Sequence, residues 1–476
     1  MSSVDQELPE TRPRWEIPSD WKWVSIADVG KVITGNTPPT KDESNYGNFI
    51  PFVKPPALTD KGIRSTPEGL SETGVRSSRT LPAGAVLVSC IGGLGKTAIA
   101  KVPVAFNQQI NAIVFDQRVI PEFGFYYAQT LKPWLHGAAS ATTLPIVNKG
   151  KFQQAPFPLA PLDQQRRIIA EIEKQFSRLD EAVANLKRVK ANLKRYKAAV
   201  LKAAVEGRLV ETEAELARRE GRSYETGAQL LQRILETRRS QWQGKGKYKE
   251  PAAPDTTNLP ALPEGWVWTS VGCLGDVIGG LTKNPKRAAL PRKLPYLRVA
   301  NVYANELRLD EITEIGVEDN ELEKLLVKKD DLLIVEGNGS PDQIGRLAIW
   351  DGSISPCVHQ NHLIKVRLPA GCSPKLVVSW LSSPEGRNCV RDVASSTSGL
   401  YTLSVGKVSA LPVPLPPISE QLRIIEEIEH RLSLIDGANA QVNANLQRAT
   451  RMRQSILACA FTTGLSVDVH LNPAYT

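Results

Sequence analysis

Residues 158–173 read PLAPLDQQRRIIAEIE, and residues 414–429 read PLPPISEQLRIIEEIE. At a constant shift of 256 residues, ten of the sixteen positions in the two stretches are identical. In both, prolines lead into a segment whose isoleucines recur at helical spacing. A match of this density is typical of an internal repeat, so we predict that the chain is a duplication of one structural unit.

The two halves correspond outside these stretches as well. The Trp-x-Trp pairs at 21–23 and 266–268 match, as do GKVITG at 30–35 and GDVIGG at 275–280. Runs of β-branched residues bounded by Gly, Pro and Asn predict short strands in each half. The predicted strands lie at 85–89, 98–100, 111–115, 332–335 and 363–366, and one helix per half is predicted at 122–131 and 374–381.

Each β-rich globule is followed by a long stretch with a different period. Apolar residues there recur every three or four positions over about forty residues, which predicts a helix with a narrow apolar stripe. The stripe consists of Ile169, Ile172, Phe176, Leu179, Val183, Leu186, Val189, Leu193, Tyr196, Val200 and Ala204 in the first copy, and of Ile425, Ile428, Leu432, Ile435, Val442, Leu446, Ala449, Ile456 and Ala460 in the second. Such a helix needs a partner, so we expect the two to pair antiparallel over roughly 60 Å, at about 1.5 Å per residue.

Prolines precede each long helix, at 156–161 and 412–417. Because proline fixes φ and cannot continue the preceding element, we expect these prolines to set the angle between globule and helix. Asp163 and Ser419 are the predicted N-caps.

The predicted fold is therefore of the α/β class, in the α+β sense, with β-rich globules plus long helices. The two globules are expected at 16–158 and 261–414, and the long helices at 159–209 and 415–465. Residues 210–260 are expected to form a linker with short helices and an exposed stretch rich in Pro, Ala and Thr. Because each globule leads into its long helix through the same proline-rich segment, we expect a pseudo-two-fold arrangement in which the helix pair holds the globules apart.

Composition favours an anionic partner. The 59 Lys and Arg residues against 50 Asp and Glu give a net charge of +9 and a pI near 9.1, which suits nucleic acid. The six cysteines form no CxxC pair, which indicates a reducing compartment and neither a disulfide framework nor a zinc ribbon. No apolar run approaches the roughly 20 residues that span a bilayer, and the N-terminus has no signal-peptide core, so we expect a cytoplasmic protein without membrane contact.

Three short motifs resemble chemical sites. Residues 90–97, CIGGLGKT, end like a phosphate-binding loop, but Cys90 stands where the first glycine is required and a strand follows, which favours a hairpin turn. Residues 472–475, NPAY, resemble the tetrapeptide of adenine methyltransferases, but no strand precedes them, which favours a fraying terminus. A metal site would have to be built from Cys357, His359 and His362, which have no fourth ligand at suitable spacing. We predict neither a catalytic nor a metal-binding residue on this chain.

A β-rich globule, a proline-rich lead-in and a long helix, repeated once, resemble the specificity subunit of type I restriction-modification enzymes. The resemblance covers about residues 16–465 and rests on 158–173 and 414–429, the Trp-x-Trp openings and the turn GNTP at 35–38, from which the second copy departs with GLTK at 280–283. It implies that each globule is a target recognition domain for one half of a split DNA sequence. It also implies that the helices separate the two domains and that the chain is non-catalytic.

The same resemblance implies the partners. They would be double-stranded DNA with a bipartite site, two modification subunits that bind S-adenosylmethionine and methylate adenine N6, and restriction subunits that use ATP and magnesium. No cofactor is expected on this chain. Two other interpretations stay open: a separate specificity subunit that serves a single-chain restriction-methyltransferase, and a coiled-coil scaffold that binds no DNA.

Polar and basic loop residues are the candidates for DNA binding, because Arg and Lys pair with guanine, and Asn and Gln with adenine, in the major groove. The candidates in the first globule are Asn36, Thr37, Lys54, Arg76, Arg79, Lys96, Asn107, Gln108 and Gln109. The candidates in the second globule are Lys283, Lys286, Arg287, Arg298, Asn301, Asn338, Gln343, Arg346 and Gln360. For each of them, a role as a turn former or a solvated loop residue stays open.

The first long helix is the more basic one. Residues 161–210 hold 12 Lys and Arg against 6 Asp and Glu, whereas 417–465 hold 5 of each. Two interpretations stay open for the basic residues: a solvated face, or contacts with the phosphates of an unread DNA spacer. The residues concerned are Lys187, Arg188, Lys190, Lys194 and Arg195.

Overall fold

The structure is a computed structural model that describes residues 16–140, 143–243, 246–397 and 399–462. It divides into two compact units. The first contains the described residues up to Arg188 and those from Val442 onward, and the second contains Val189–Gln441. Among the described helices, none combines the length and apolar character that crossing a membrane requires.

The first half of the chain is rich in short strands. Its strands are β1 (Lys22–Ser25), β2 (Gly30–Thr34), β3 (Tyr46–Val53), β4 (Lys61–Ile63), β5 (Gly69–Leu70), β6 (Thr80–Leu81), β7 (Val86–Ser89), β8 (Thr97–Ala100), β9 (Val104–Phe106), β10 (Ile110–Phe115) and β11 (Pro156–Leu159). Its helices are α1 (Ile26–Val29), α2 (Glu72–Arg76), α3 (Pro121–Ala128), α4 (Lys132–Ala138), α5 (Lys149–Gln153) and the long α6 (Leu162–Val205). Short 3-10 helices lie at Glu43–Asn45 and Pro55–Ala57.

The second half follows the same plan after two linker helices, α7 (Glu213–Glu220) and α8 (Gly227–Ser240). Its strands are β12 (Val267–Ser270), β13 (Asp276–Gly279), β14 (Lys293–Leu297), β15 (Val302–Tyr303), β16 (Glu306–Leu307), β17 (Thr313–Gly316), β18 (Leu332–Val335), β19 (Gly337–Asn338), β20 (Leu347–Ile349), β21 (Val358–His359), β22 (Leu363–Arg367), β23 (Ser395–Thr397), β24 (Leu400–Thr402) and β25 (Pro412–Leu415). Its helices are α9 (Val271–Leu274), α10 (Pro285–Ala288), α11 (Asp319–Leu325), α12 (Pro374–Ser382), α13 (Pro384–Val393), α14 (Val405–Ser409) and the long α15 (Ile418–Thr462), with a 3-10 helix at Val299–Asn301.

The strand order of the main sheet is the same in both units. It is β2-β10-β7-β8 in the first unit, extended by β4, and β13-β22-β18-β20 in the second. Each unit also has a parallel strand pair outside the main sheet, β3 with β9 in the first unit and β14 with β21 in the second. Strands β9 and β21 come directly before β10 and β22 in the chain. The opening strand pairs antiparallel with the strand that leads into the long helix, so that Trp23 faces Pro158 and Trp268 faces Pro414.

Each main sheet is buried on both faces. In β7, Val86 and Val88 pack into one apolar cluster, whereas Leu87 packs into another on the opposite face. Because successive strand residues point to opposite faces, a strand covered on both sides reads as a continuous apolar run. This is why the central strands could be predicted from β-branched runs, and why β7 and β18 lie where those runs do.

The long helices pack against each other within each unit. In the first unit, Ile168, Ile172 and Phe176 of α6 share a cluster with Ile456 and Phe461 of α15. In the second unit, Val200, Leu201 and Ala204 of α6 pack with Ile424, Ile425 and Ile428 of α15.

The predicted apolar stripe is not buried at every turn. Val189 and Tyr196 are 44% and 47% exposed, which corrects their assignment to it. A straight α-helix drifts by about 20° per heptad from a strict seven-residue repeat, so such a stripe does not keep one orientation along its whole length.

The predicted N-caps are wrong. Helix α6 begins at Leu162 and α15 at Ile418, so Asp163 and Ser419 already lie inside the first turn. Pro161 directly precedes the first helical residue, and the Asp163 carboxylate accepts instead from Arg167 at 2.7 Å. The prolines therefore lie closer to the helix start than the capping pattern suggested.

A buried glutamine stabilises the start of each long helix. Gln165 Oε1 accepts from Ile120 N at 2.8 Å, and its Nε2 donates to Arg118 O and Ala160 O, both at 2.8 Å. Arg118 and Ile120 belong to the globule, so the side chain ties the helix start to it. The equivalent side chain, Gln421, makes the same three kinds of bond.

Candidate nucleic-acid interface

Several candidate residues of the first unit lie together at one end of its main sheet. The loop that follows β2 packs against the turn that precedes β10, and Asn36 N donates to Phe106 O at 3.0 Å. A Cβ on Gly35 would overlap the Phe106 carbonyl oxygen, so this approach requires glycine. Residues 35–37 and 107–109 are called the first polar edge below.

Hydrogen bonds order the side chains of the first polar edge. Thr37 Oγ1 donates to Gln108 Oε1 at 2.6 Å. Asn107 is buried, and its Nδ2 donates to Gln109 Oε1 at 3.0 Å. Gln108 is exposed and Gln109 is half-buried, so these two amides form the outer part of the edge.

Basic residues surround the first polar edge. Arg79 N donates to Asn36 Oδ1 at 2.7 Å, which places this exposed arginine beside the loop after β2. Lys96 is exposed in the turn between β7 and β8. The same turn contacts the first polar edge, because Cys90 N donates to Gln109 O at 2.9 Å. Cations so placed can bind phosphates while neighbouring amides face the bases.

The two other basic candidates of this unit differ in their surroundings. Lys54 follows β3 directly, pairs with Glu68 at 2.5 Å and lies 5.7 Å from the Phe52 ring centroid. Arg76 is exposed at the end of α2, and no ion pair joins it to any acidic residue that the structure describes.

The second unit carries an equivalent edge. Leu281 N donates to His359 O at 2.8 Å, and Asn361 N donates to Leu281 O at 2.9 Å. A Cβ on Gly280 would overlap the His359 carbonyl oxygen, just as in the first unit. Residues 280–283 and 360–362 are called the second polar edge below.

The turn 360–362 occupies the position of the turn 107–109. The backbone N–H groups of Gln360 and Asn107 donate to the last residues of β14 and β3, at 2.9 and 3.0 Å. The His362 carbonyl accepts from Glu336 N, directly after β18, at 2.9 Å. The Gln109 carbonyl accepts in the same way from Cys90 N, directly after β7, at 2.9 Å. Asn361 is not among the candidates predicted from the sequence, and His362 was predicted only as a possible metal ligand. Matching the two turns that precede β10 and β22 would have found both.

The side chains of the second polar edge are hydrogen-bonded too. His362 Nδ1 lies 2.9 Å from Glu336 Oε2, and the His362 side chain is 56% exposed. Asn361 Nδ2 lies 3.4 Å from His362 Nε2. Gln360 is half-buried, and its Oε1 accepts from Val299 N at 3.3 Å.

Several candidates of the second unit are engaged within the fold. Arg287 forms two 2.9 Å bonds with the Glu321 carboxylate. Asn301 is 2% exposed, and its Nδ2 donates to two backbone carbonyls while its Oδ1 accepts from Arg298 N at 2.8 Å. Arg346 donates to Val299 O at 3.0 Å. These bonds give all three a structural role.

The remaining candidates are more accessible. Lys283, Lys286 and Gln343 are exposed, whereas Arg298 and Asn338 are half-buried. Lys283 lies within the second polar edge. The five basic residues predicted for the spacer, 187–195, are exposed as well, and the guanidinium groups of Arg188 and Arg195 donate to asparagines of the same helix.

The motifs that resemble chemical sites have structural explanations. Residues 90–96 connect the antiparallel strands β7 and β8, which confirms the hairpin turn, and burial raises the pKa of the Cys90 thiol to about 11. His359 is buried, its Nδ1 lies 2.8 Å from Leu363 O, and burial lowers its pKa to about 4. Within the described ranges, no three His, Cys, Asp or Glu side chains are grouped to hold a metal ion. The NPAY motif lies outside the described residues.

Known proteins provide an independent comparison. Residues 18–195 match the family model described as the type I restriction modification DNA specificity domain. The chain is similar to type I specificity subunits along almost its whole length. It is 22% identical to the EcoKI specificity subunit of Escherichia coli K12 over 95% of this chain and 91% of that protein. It is 24% identical to the EcoBI specificity subunit of Escherichia coli over 95% and 88%. These matches confirm the resemblance found in the sequence.

Solved structures of type I systems share the fold of this chain. A chain from a study of complex assembly and conformational transition of the type I R-M system superposes with a TM-score of 0.67 at 17% identity, covering 95% of this chain and all of that one. The HsdS subunit of Thermoanaerobacter tengcongensis superposes with a TM-score of 0.53 at 18% identity, covering 95% and 99%. The predicted mixed α/β class with long helices is thereby confirmed.

Proposed function

We propose that this chain is the non-catalytic DNA-recognition subunit of a type I restriction-modification complex. Each unit reads one half of a bipartite sequence and directs the partner subunits to it. The observation that carries the proposal is the occurrence of two equivalent polar edges, one per unit, on strands of the same order and with the same backbone bonds. A split DNA site demands two such surfaces at a fixed separation.

We infer that each unit contains one copy of the same target recognition domain, at 16–158 in the first unit and at 261–414 in the second. The shared strand order, the parallel pairs β3–β9 and β14–β21, and the matched pairing of β1 with β11 and β12 with β25 support this inference. A glycine at the same close approach, Gly35 and Gly280, supports it as well.

We infer that α6 and α15 form an antiparallel spacer. In each unit, one end of α6 packs against the opposite end of α15, as such a pair requires. Inserting one heptad into both helices adds about 10 Å, so the unread DNA spacer should lengthen by about three base pairs. Sequencing of methylated sites should then show a longer spacer between unchanged half-sequences, and altered half-sequences would contradict this division of roles.

We infer the partners from the same assignment. Two modification subunits would supply S-adenosylmethionine and methylate adenine N6, and restriction subunits would supply ATP- and magnesium-dependent cleavage. On this chain, the loop that resembles a phosphate site is a hairpin turn and Cys90 is a buried thiol, which supports a role in recognition rather than catalysis.

The test is a single-molecule map of N6-methyladenine in the host genome with and without this gene. A split motif that disappears on deletion and returns on complementation supports the proposal. An unchanged methylation map would contradict it. A scaffold that binds no DNA would also fail to retain duplex DNA in the presence of the methyltransferase, so a retention assay separates these two functions.

A further inference from the structure

We propose that the turns 107–109 and 360–362 are the base-reading elements of the two polar edges. Gln108 and Gln109 read the first half-sequence, and Asn361 and His362 read the second. This inference rests on the proposed function and makes it specific. It adds Asn361 and His362 to the DNA-binding residues predicted from the sequence. It excludes several predicted residues whose polar groups are hydrogen-bonded within the fold.

A base reader must be exposed and must keep hydrogen-bonding groups available for the DNA. Asn107, Asn301 and Arg287 do not meet this requirement, because their polar groups are buried or bonded within the fold. Gln108 and His362 meet it, since both are exposed in equivalent turns, Gln108 at the middle position of its turn and His362 at the last position of the other. The same turn therefore carries an exposed polar side chain in both units, although its residues differ.

Thr37 positions Gln108 in the first edge. Its hydroxyl donates to Oε1, which fixes the orientation of the amide. The amide nitrogen then has no partner among the residues that the structure describes and can donate to adenine N7, while Oε1 keeps a lone pair for adenine N6. An amide held in this way favours adenine in the major groove.

Glu336 positions His362 in the second edge. In the tautomer whose Nδ1 donates to the Glu336 carboxylate, Nε2 is an acceptor, and a donor on the DNA would replace its long 3.4 Å contact with Asn361 Nδ2. An acceptor at this place pairs with an exocyclic amine, as in cytosine N4 or adenine N6. We therefore expect the two edges to read different bases.

The basic residues around the turns have a separate role. Arg79 and Lys96 lie beside the first edge, and Lys283 lies within the second. Their charges can bind phosphates and orient the duplex, but they carry no sequence information in that role. Substituting them should lower affinity alike on all sequences.

The experiment uses the full chain with its methyltransferase partner and maps methylation in vivo for Gln108→Ala and His362→Ala. Gln108→Ala should relax one base of the first half-sequence, and His362→Ala one base of the other half-sequence. On duplexes with that base pair changed, discrimination should fall about tenfold while binding to random duplexes stays constant. The matched control is Gln117→Ala, an exposed amide beyond the opposite end of β10, which should leave the motif unchanged.

Thr37 provides the second measurement. Thr37→Val should weaken discrimination at the same base as Gln108→Ala, and Thr37→Ser, which keeps the hydroxyl, should restore it. A merely structural role would lower affinity for every sequence and leave the motif intact.

The outcomes are distinct. An unchanged motif in both Gln108→Ala and His362→Ala, with methylation retained, overturns the assignment of the turns but leaves the proposed function standing. The assignment is also overturned if both variants alter the same half-sequence. Loss of all methylation by a variant whose thermal unfolding matches wild type counts against base reading as well. Failure of the proposed function is recognised separately, because deletion of the gene would then leave the methylation map unchanged.

Discussion

The two units build the same main sheet but fill one of its faces with different chemistry. In the first unit the residues there belong to or pack against an apolar cluster, whereas the matching residues of the second unit are charged. The matching pairs, given by strand register, are Ala85 and Asp331, Ala112 and Lys365, and Val114 and Arg367. Leu333 and Leu363, on the same face of the second unit, still pack into an apolar cluster, so the same strand order accommodates charged residues at three positions of an otherwise apolar face.

Each of these three charged side chains of the second unit has a bonded partner. Asp331 is 2% exposed and pairs with Arg367 at 2.6 Å. Lys365 is buried and donates to the carbonyls of Lys324 and Leu326 at 2.7 and 2.8 Å, at the C-terminus of α11, where a cation is favourable. Burial lowers the pKa of Lys365 to about 8. Buried charge is tolerated here because each group has a partner.

The largest effect is expected from Asp331→Ala, which gives the second unit the residue of the first. It leaves Arg367 without its carboxylate, so the free energy of unfolding of the second unit should fall by about 3 kcal/mol. Denaturant unfolding of the full chain, followed by hydrogen exchange in peptides of β18 and β22, would measure this loss.

The double variant Asp331→Ala with Arg367→Val copies the first unit at these two positions and should recover most of the loss. As a control, Asp319→Ala breaks an exposed ion pair with Arg292 and should cost less than about 1 kcal/mol. A double variant as unstable as Asp331→Ala would show that the pair is not interchangeable with apolar packing.

Where the two units have equivalent residues with equivalent bonds, we expect the same substitution to cost each unit the same free energy of unfolding. Gln165→Ala and Gln421→Ala each remove three hydrogen bonds from a buried helix start, so each should cost its own unit about 2 kcal/mol. Hydrogen exchange in the segments before α3 and α12 would report each loss locally. A large effect in one unit with none in the other would show that the starts of α6 and α15 are not equivalent.

The third prediction concerns pH. Burial lowers the pKa of His359 to about 4 from an ordinary 6.5, so the unfolded chain binds a proton that the folded chain does not as the pH falls through this range. Stability of the second unit should fall by about 1 kcal/mol between pH 7 and pH 5.5 on account of this group.

The first unit has Phe106 at the matching position, so His359→Phe should abolish this contribution. The difference between wild-type and variant stability, measured against pH, isolates it from other titrating groups. A difference that does not vary between pH 7 and pH 4 would contradict the prediction.

The smallest effect is expected from the basic spacer residues. Arg188 and Arg195 bond to their own helix, so replacing the five cations at 187–195 by Gln should leave both the affinity for DNA and its salt dependence almost unchanged. A uniform loss of affinity with a flatter salt slope would instead assign these residues to spacer phosphates.

Elements with a strong local pattern could be predicted from the sequence. The central strands follow from β-branched runs, and the long helices follow from apolar residues spaced by threes and fours. The N-caps could not be predicted from the sequence. Asp163 was assigned by residue type alone, whereas the true helix start depends on how Pro161 meets the preceding strand. Helices α4 and α13 were missed because each closely follows another helix and has a proline in its first turn, which in the sequence resembles a break.

The sequence by itself determined two similar halves, two long helices and a proline-rich segment before each, since repetition and periodicity are properties of neighbouring residues. Only the tertiary structure decided which loops meet. It brought residues 35–37 to 107–109 and 280–283 to 360–362, gave Gln165 and Gln421 their bonds, and paired Asp331 with Arg367. These contacts join residues far apart in the chain, and a side chain's role depends on the partner that folding brings to it.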